Sequence, residues 1–418
     1  PPPTPAFFNS LSVYTLLCCF YRGLVDLYKR QCFKRTVVAF FITTLLAGCA
    51  AQKPGVREGD PSESYFSEQV IYPYKVEYRE AKADDGTTWN IGYMDVKPLF
   101  KLNPKVLVLI HGRAFGGAYF GHALRMASEH GIRVVVPDLP NCGKSIPGNL
   151  DKNLERSMQH AREVIHDLVV NRLKIAKATY GGHSMGGQFV LGYALTYPEA
   201  VERLILVAPA GLEELPAKFY PPSLAESTDR ADFDKIPYYA GMARLAYSTN
   251  AKRIEDFFFY RLEVNGKILP MGFFKKETPD TRLATDIRTR MITGNPVEFE
   301  RYSIASLRDV YHLGVEIQKE DPDSLFKRYD RIRAPIFLLF GDDDPFFPKK
   351  ISGLKVLNKE MIQPFDQRLT AAGCPVTVKL YPGCGHFPHS DMPELFSEDV
   401  VRFVSTGEVE DTVDPSTF

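Results

Sequence analysis

The clearest signal along the chain is a series of short apolar runs separated by stretches with a helical period. KVLVLIHG (105–112), IRVVVPDLP (132–140), KATYGG (177–182), RLILVAPAG (203–211), APIFLLFG (334–341) and VTVKLYPGCG (376–385) lack the polar alternation of a half-exposed strand. Such runs are expected for strands buried on both faces of a parallel sheet. Two earlier β-rich runs, YKVEYRE (74–80) and TTWNIGYMDV (87–96), precede them. Between the runs, YFGHALRMASEHG ends on Gly131 as a helix stop, and Met158, Val164, Ile165, Leu168 and Val169 recur at helical spacings. An amphipathic helix is expected from about Pro393 to Val404. Strands that alternate with helices predict an α/β fold, a mostly parallel central sheet flanked by helices.

The alternation breaks once. From Gly211 to Arg333, about 120 residues, the strand signal vanishes and helices and aromatics take over, among them Phe257, Phe258, Phe259, Tyr260, Phe273 and Phe274. EDFFFYRL within this stretch reads as core. The insertion follows the sixth strand, at the sheet edge where open α/β folds bind ligands, so a helical cap or lid is expected.

Charge narrows the partners. Lys plus Arg and Asp plus Glu both number 51, so no basic face of the kind nucleic acid needs is indicated. The N-terminus departs from this balance: Lys34 and Arg35 precede an apolar run from Val37 to Ala47, then Gly48-Cys49. That run is too short to span a bilayer and suits the apolar region of a signal peptide. LAGC at 46–49 resembles the bacterial lipobox, which implies that Cys49 carries lipid and that the protein sits in the cell envelope, attached to a membrane. Ala50 in the next position is not the aspartate that retains such proteins at the inner membrane, which favours the outer membrane. Most of residues 1–31 reads as a spurious extension, with Leu27 an alternative start. After Cys49 a polar stretch to about Val70 reads as a tether. Only Cys142, Cys374 and Cys384 remain beyond Cys49, and Cys374 and Cys384 flank a strand, so no disulfide framework is indicated.

The candidate chemistry centres on Gly182-His183-Ser184-Met185-Gly186, between a strand and a helix. This G-x-S-x-G pattern presents a serine hydroxyl on a strained turn, with the Met185 N–H at the helix start near any developing oxyanion. DLPNCGKS (138–145) ends like a phosphate-binding loop, yet Asp138 stands where the first glycine belongs. His386-x-x-His389 with Asp391 could be read as metal ligands, but no third histidine lies in a matching motif, so neither metal nor cofactor is expected.

Together, HG after a strand, PDLPNCGKS, GGHSMGG, GDDDPFFP and PGCGHFPH resemble the α/β-hydrolase superfamily over about Tyr72 to Val404, in its serine-nucleophile, esterase- or lipase-like branch. The resemblance implies a triad of Ser184, Asp344 and His386, with Asp342 and Asp343 as solvated or capping neighbours and His389 as the rival base. It also implies an oxyanion hole of the Arg113 and Met185 N–H groups, a supporting role for His111 and a packing role for His183. The Arg113 side chain is left open between solvent and an anionic part of the substrate. The implied activity is hydrolysis of a carboxylic ester with an apolar portion. Amide or proline-iminopeptidase cleavage, with Glu213, Glu214 or Glu255 holding an amine, is one alternative on the same triad, and C–C bond cleavage is another. A lipid-anchored binding protein without activity is the rival from another class. The expected layout is residues 1–48 as extension and signal segment, 49–70 as lipidated cysteine and tether, 71–211 and 333–405 as the hydrolase core, 212–332 as the cap, and 406–418 as a tail.

Overall fold

The computed structural model describes residues 70–415 apart from 114, 146–157, 226, 237–238, 241–254, 256–257, 260, 265–266, 271, 295, 346–360 and 375. The expected signal segment, Cys49 and the expected tether up to residue 69 lie outside the described residues, whereas Val70, at the end of that expected tether, is buried in the core. Eight strands form one sheet: β1 (Glu77–Lys82), β2 (Thr88–Val96), β3 (Lys105–Ile110), β4 (Ile132–Pro137), β5 (Ala178–His183), β6 (Val201–Val207), β9 (Ile336–Gly341) and β10 (Val376–Tyr381). Their order is β1-β2-β4-β3-β5-β6-β9-β10. Only the β1–β2 and β2–β4 pairings are antiparallel. All eight runs read from the sequence are strands, with ends shifted by a few residues, such as β1 reaching Lys82 and β6 starting at Val201.

Buried strands carry two cores at once, because successive side chains point to opposite faces. Leu107 and Leu109 of β3, Ile205 and Val207 of β6, and Phe337 and Leu339 of β9 enter one core. Val108 and Ile110, Leu204 and Leu206, and Ile336, Leu338 and Phe340 enter the other. Helix α1 (Gly121–Glu129) and helix α7 (Pro393–Thr406) cover the first face through Leu124, Phe396, Val400 and Phe403. On the second face lie α2 (Met158–His166), α3 (Met185–Thr196) and α6 (Gln363–Ala371), through Ile165, Phe189 and Leu369. Helix α1 stops at Gly131 as expected, where φ is +80°. A turn of π-helix, Asp167–Arg172, continues α2.

The insertion between β6 and β9 contains two long helices, α4 (Pro279–Gly294) and α5 (Pro296–Val315). It is not wholly helical: β7 (Arg261–Val264) and β8 (Lys267–Pro270) pair as an antiparallel hairpin. The sequence between them is Asn265-Gly266, a strong short-range hairpin signal. EDFFFYRL does enter the core, since Phe258 is fully buried against Phe274 and Phe387. Arg162 of α2 binds the C-terminal end of α5, with Nη1 and Nη2 donating to Glu316 at 2.6 and 2.8 Å. Among the described residues, no helix is long and apolar enough to cross a membrane.

Candidate active site

Because β3, β4, β5, β6, β9 and β10 are parallel, the turns after them gather at one edge of the sheet. Ser184 is the single residue between β5 and α3, at φ 53° and ψ −116°. A non-glycine residue held there stores about 1–3 kcal/mol of strain. Three backbone hydrogen bonds hold it: Ser184 N–H donates to the Val207 carbonyl, and the Ser184 carbonyl accepts from Gly187 and Ala210 N–H, each at 2.9 Å. Glycine is required on both sides. A Cβ on Gly182 would lie 2.0 Å from the Gly186 carbonyl oxygen, and one on Gly186 would lie 2.3 Å from that of Ile110. Met185 opens α3, and the first N–H of a helix has no intrahelical acceptor.

Asp344 follows β9 and is 1% exposed; His386 follows β10 and is 3% exposed. Nδ1 of His386 lies 2.8 Å from Oδ2 of Asp344. The two other acids of the run point elsewhere. Asp342 accepts from Gly383 N–H at 2.7 Å, and Asp343 pairs with Lys275 at 3.1 Å. His389 is not in this contact. Among the described residues neither ring nitrogen has a hydrogen-bond partner, and its ring packs on Tyr119 and Phe120. Burial drives its pKa down to about 3, so it stays neutral.

Two supporting residues have roles that the sequence did not assign them. The first is Tyr119, just before α1. Its hydroxyl accepts from Gly112 N–H at 2.5 Å and lies 3.0 Å from His183 Nδ1, while His183 Nε2 lies 2.9 Å from the His386 carbonyl oxygen. A carbonyl only accepts, so His183 carries its proton on Nε2, and Tyr119 must donate to Nδ1. One directed chain of hydrogen bonds therefore runs from the turn after β3 to the turn after β10, through the neighbour of Ser184. His183 thus does more than pack. Burial, reinforced by His389 and His386, holds its pKa well below the ordinary value, and a neutral ring is what the chain requires.

The second is Asp391, which accepts from Gly385 N–H at 2.7 Å and from Lys275 and Lys276 N–H at 3.0 and 3.1 Å. It fastens the inserted segment to the residue before His386. His386 N–H itself donates to the Phe273 carbonyl at 3.0 Å. Burial raises the Asp391 carboxyl to about 6 against the pull of these donors.

His111 supports the turn after β3, as expected. Its Nε2 accepts from Leu139 N–H at 3.0 Å, so Nδ1 carries the proton and donates to the Gly112 carbonyl at 2.8 Å. In a trans peptide the carbonyl and the N–H point in opposite directions, so His111 also sets the direction of the Arg113 N–H. The Arg113 side chain is half-buried, and its charge acts on Asp309 of α5, whose carboxyl burial raises to about 6. Above this edge lie rings from core and insertion: Phe115 against Phe387 at 5.5 Å, Phe274 against Phe387 at 4.8 Å, and Phe273 against His386 at 5.7 Å. Of the acids considered for holding an amine, Glu214 lies 3.6 Å from Lys327 and Glu255 lies 3.2 Å from Arg282. Glu213 is raised to about 7 by burial. The phosphate-loop decoy is a structural turn, in which Asp138 accepts from Tyr72 O–H, Gly117 N–H and Lys144 N–H.

Comparison with known proteins identifies the family. Residues 105–393 match the family model described as alpha/beta hydrolase fold. A 2-hydroxy-6-oxononadienedioate/2-hydroxy-6-oxononatrienedioate hydrolase of Comamonas testosteroni is 34% identical over 307 residues, 72% of this chain and 88% of that protein. An enzyme of the same description from Burkholderia vietnamiensis is 24% identical over 332 residues, 77% of this chain and 93% of the relative. Among solved structures, a probable hydrolytic enzyme of Pseudomonas aeruginosa PAO1 superposes with a TM-score of 0.59 at 24% identity, covering 81% of this chain and 97% of the other. The chain belongs to the α/β-hydrolase family and is a hydrolase of that fold.

Proposed function

We propose that the protein hydrolyses carboxylic esters through an acyl-enzyme on Ser184. The observation that carries this reading is the buried 2.8 Å contact between His386 and Asp344, tied through His183 to the strained Ser184. With its Nδ1 proton donated to Asp344, His386 keeps the Nε2 lone pair for the serine proton. Ser184 Oγ adds to the substrate carbonyl, and the oxyanion is received by the N–H groups of Met185 and Arg113. His386 then protonates the leaving alcohol. Water, deprotonated by the same ring, cleaves the acyl-enzyme and returns the proton to Ser184. The ring cluster above the edge suits an apolar portion of the ester. At the N-terminus, Cys49 is the proposed lipid attachment point in a bacterial cell envelope; mass spectrometry of the native protein without an acyl group on Cys49 would remove that part.

C–C bond hydrolysis is the second reading. It is favoured by the names of the relatives from Comamonas and Burkholderia and by the half-buried Arg113 cation beside the proposed oxyanion site. The test compares p-nitrophenyl acetate, butyrate and decanoate with a 2-hydroxy-6-oxo-dienoate, using the full chain, Ser184→Ala and a fluorophosphonate label. Ester turnover and labelling that vanish with Ser184 are expected. Labelling with dienoate turnover alone would transfer the assignment to the second reading. Absence of both labelling and turnover in folded protein would sink the serine mechanism.

A further inference from the structure

The connection from β2 to β3 leaves the sheet at the edge opposite Ser184. Lys105 begins β3, which runs parallel to β5, whereas Ser184 follows the far end of β5. Since β4 lies between β2 and β3 in the sheet, residues 97–104 must step across the start of β4. They do so close to Gly131, where a Cβ would come 2.9 Å from Cδ of Lys101. The Lys101 side chain thus lies over Gly131, just before β4. On the crest of the connection Leu99, Phe100 and Leu102 are 89%, 97% and 94% exposed. Single exposed apolar residues are ordinary, but three within four positions form a patch that calls for a partner.

The chemistry of the crest is specific. Its sequence, Lys97-Pro-Leu-Phe-Lys-Leu-Asn-Pro-Lys105, contains three lysines and no acid. Lys97 and Lys101 are exposed on its flanks; Lys97 Nζ lies 3.7 Å from Asp95, a carboxylate that Arg133 already binds at 2.7 Å. Lys105 sits at its base, where Nζ donates to the Val404 and Ser405 carbonyls at the end of α7, each at 3.0 Å. Pro98 and Pro104 bracket the crest and fix the backbone at each foot. Asn103, at φ 55°, supplies the reversal.

We propose that residues 97–104 are a membrane-docking finger, which seats Leu99, Phe100 and Leu102 at the acyl–headgroup boundary of an anionic bilayer with Lys97 and Lys101 against lipid phosphates. Apolar side chains flanked by lysines match the two attractions that hold proteins to such surfaces. A folded protein partner fits less well. The aromatic side chain offers on the order of 200 Å², and the two leucines add less than that each. Three such residues on a convex tip fall short of the roughly 800 Å² per partner that a stable interface buries. Docked in this way, the edge bearing Ser184 faces the water rather than the lipid, so the substrate reaches it from the aqueous phase. The finger does not depend on lipid at Cys49, nor on which bond the hydrolase cleaves.

The experiment measures co-sedimentation of the full chain carrying Cys49→Ser, with vesicles of phosphatidylethanolamine containing about 30% phosphatidylglycerol and with neutral phosphatidylcholine vesicles. Replacing Leu99, Phe100 and Leu102 together by Ser should weaken partition to the anionic vesicles by about a hundredfold, with the unfolding midpoint unchanged. Lys97→Glu with Lys101→Glu should weaken it by at least about thirtyfold on anionic vesicles only. The chain has one tryptophan, Trp89, buried at 1% exposure, so Phe100→Trp can be read as a difference spectrum. Its emission should move to the blue on adding the anionic vesicles. Equal binding by the triple serine variant would assign attachment to the N-terminal segment and overturn the proposal. So would absence of binding by the parent chain. Loss of self-association in the triple variant, with vesicle binding intact, would make the crest a contact between copies of the chain and overturn it as well.

Discussion

Tyr119→Phe removes one oxygen and two hydrogen bonds while leaving the ring in place. Gly112 N–H loses its acceptor and His183 Nδ1 loses its donor. Tyr119 is 2% exposed, and the gap is too small to admit water. A tautomer change in His183 brings no relief, because moving its proton to Nδ1 would turn the Nε2 lone pair toward the His386 carbonyl oxygen. Each buried orphan costs about 1–3 kcal/mol, so the variant should lose about 2–6 kcal/mol of stability. The ring contacts to Phe115, Phe120 and His389 remain and limit further loss. Urea unfolding followed by the single tryptophan, with the slope unchanged, reads this directly. If the chain of bonds also positions the turns that flank Ser184, kcat toward the preferred ester should fall about ten- to a hundredfold with KM nearly constant. Tyr180→Phe is the control. Its buried hydroxyl meets only the Tyr193 hydroxyl, at 3.0 Å, among the hydrogen bonds described, so about 1 kcal/mol and unchanged kcat are expected. If Tyr119→Phe costs no more than this control, the reasoning is wrong.

Asp344→Asn takes the charged acceptor from His386 and should lower kcat about 10⁴-fold without unfolding the protein; a loss under tenfold would argue for another acid. Burial holds the Asp391 carboxyl at about 6 rather than 3.8, so its bound proton stabilises the fold fully below the lower value and no longer does so above the upper. Asp391→Asn should therefore gain on the parent by about 3 kcal/mol between pH 4 and 7, read from denaturation midpoints across that range. A difference that does not vary with pH would place the titration elsewhere. Arg162→Met takes both charged donors from the Glu316 carboxylate, which keeps Gln188 Nε2 at 3.2 Å, and removes the donors to the Gln188 and Phe189 carbonyls; it should cost about 3–5 kcal/mol in urea unfolding.

The strands were legible because their burial is written locally: β9 is buried at every position, and its apolar run has no break. The elbow was legible for a related reason, since both glycine requirements act within two residues of Ser184. Hairpin β7–β8 was missed, although Asn265-Gly266 stood between its halves, because a surrounding richness in aromatics and helical patterns dominated the reading. Tyr119 and Asp391 left no trace of another kind. Their side-chain or cross-segment partners lie 64 residues away for Tyr119 and His183, and 116 for Asp391 and Lys275, while their nearer partners, Gly112 and Gly385, are met through backbone N–H groups that any residue carries. Nor does LF-K-L reveal its exposure, because an apolar run beside a strand reads like more strand until the topology forces it across β4.

The histidine after β3 has a thermodynamic consequence. With the Gly112 carbonyl fixed by His111, and His111 fixed in turn by the Leu139 N–H, the peptide between Gly112 and Arg113 is not free to turn over. Its dipole is already oriented before any ligand arrives, so the entropy of aligning it is lost once, during folding, and not at each turnover. If that N–H receives the oxyanion as proposed, the reaction should show a small entropy of activation, and His111→Ala should move the barrier from enthalpy toward entropy, read from the temperature dependence of kcat.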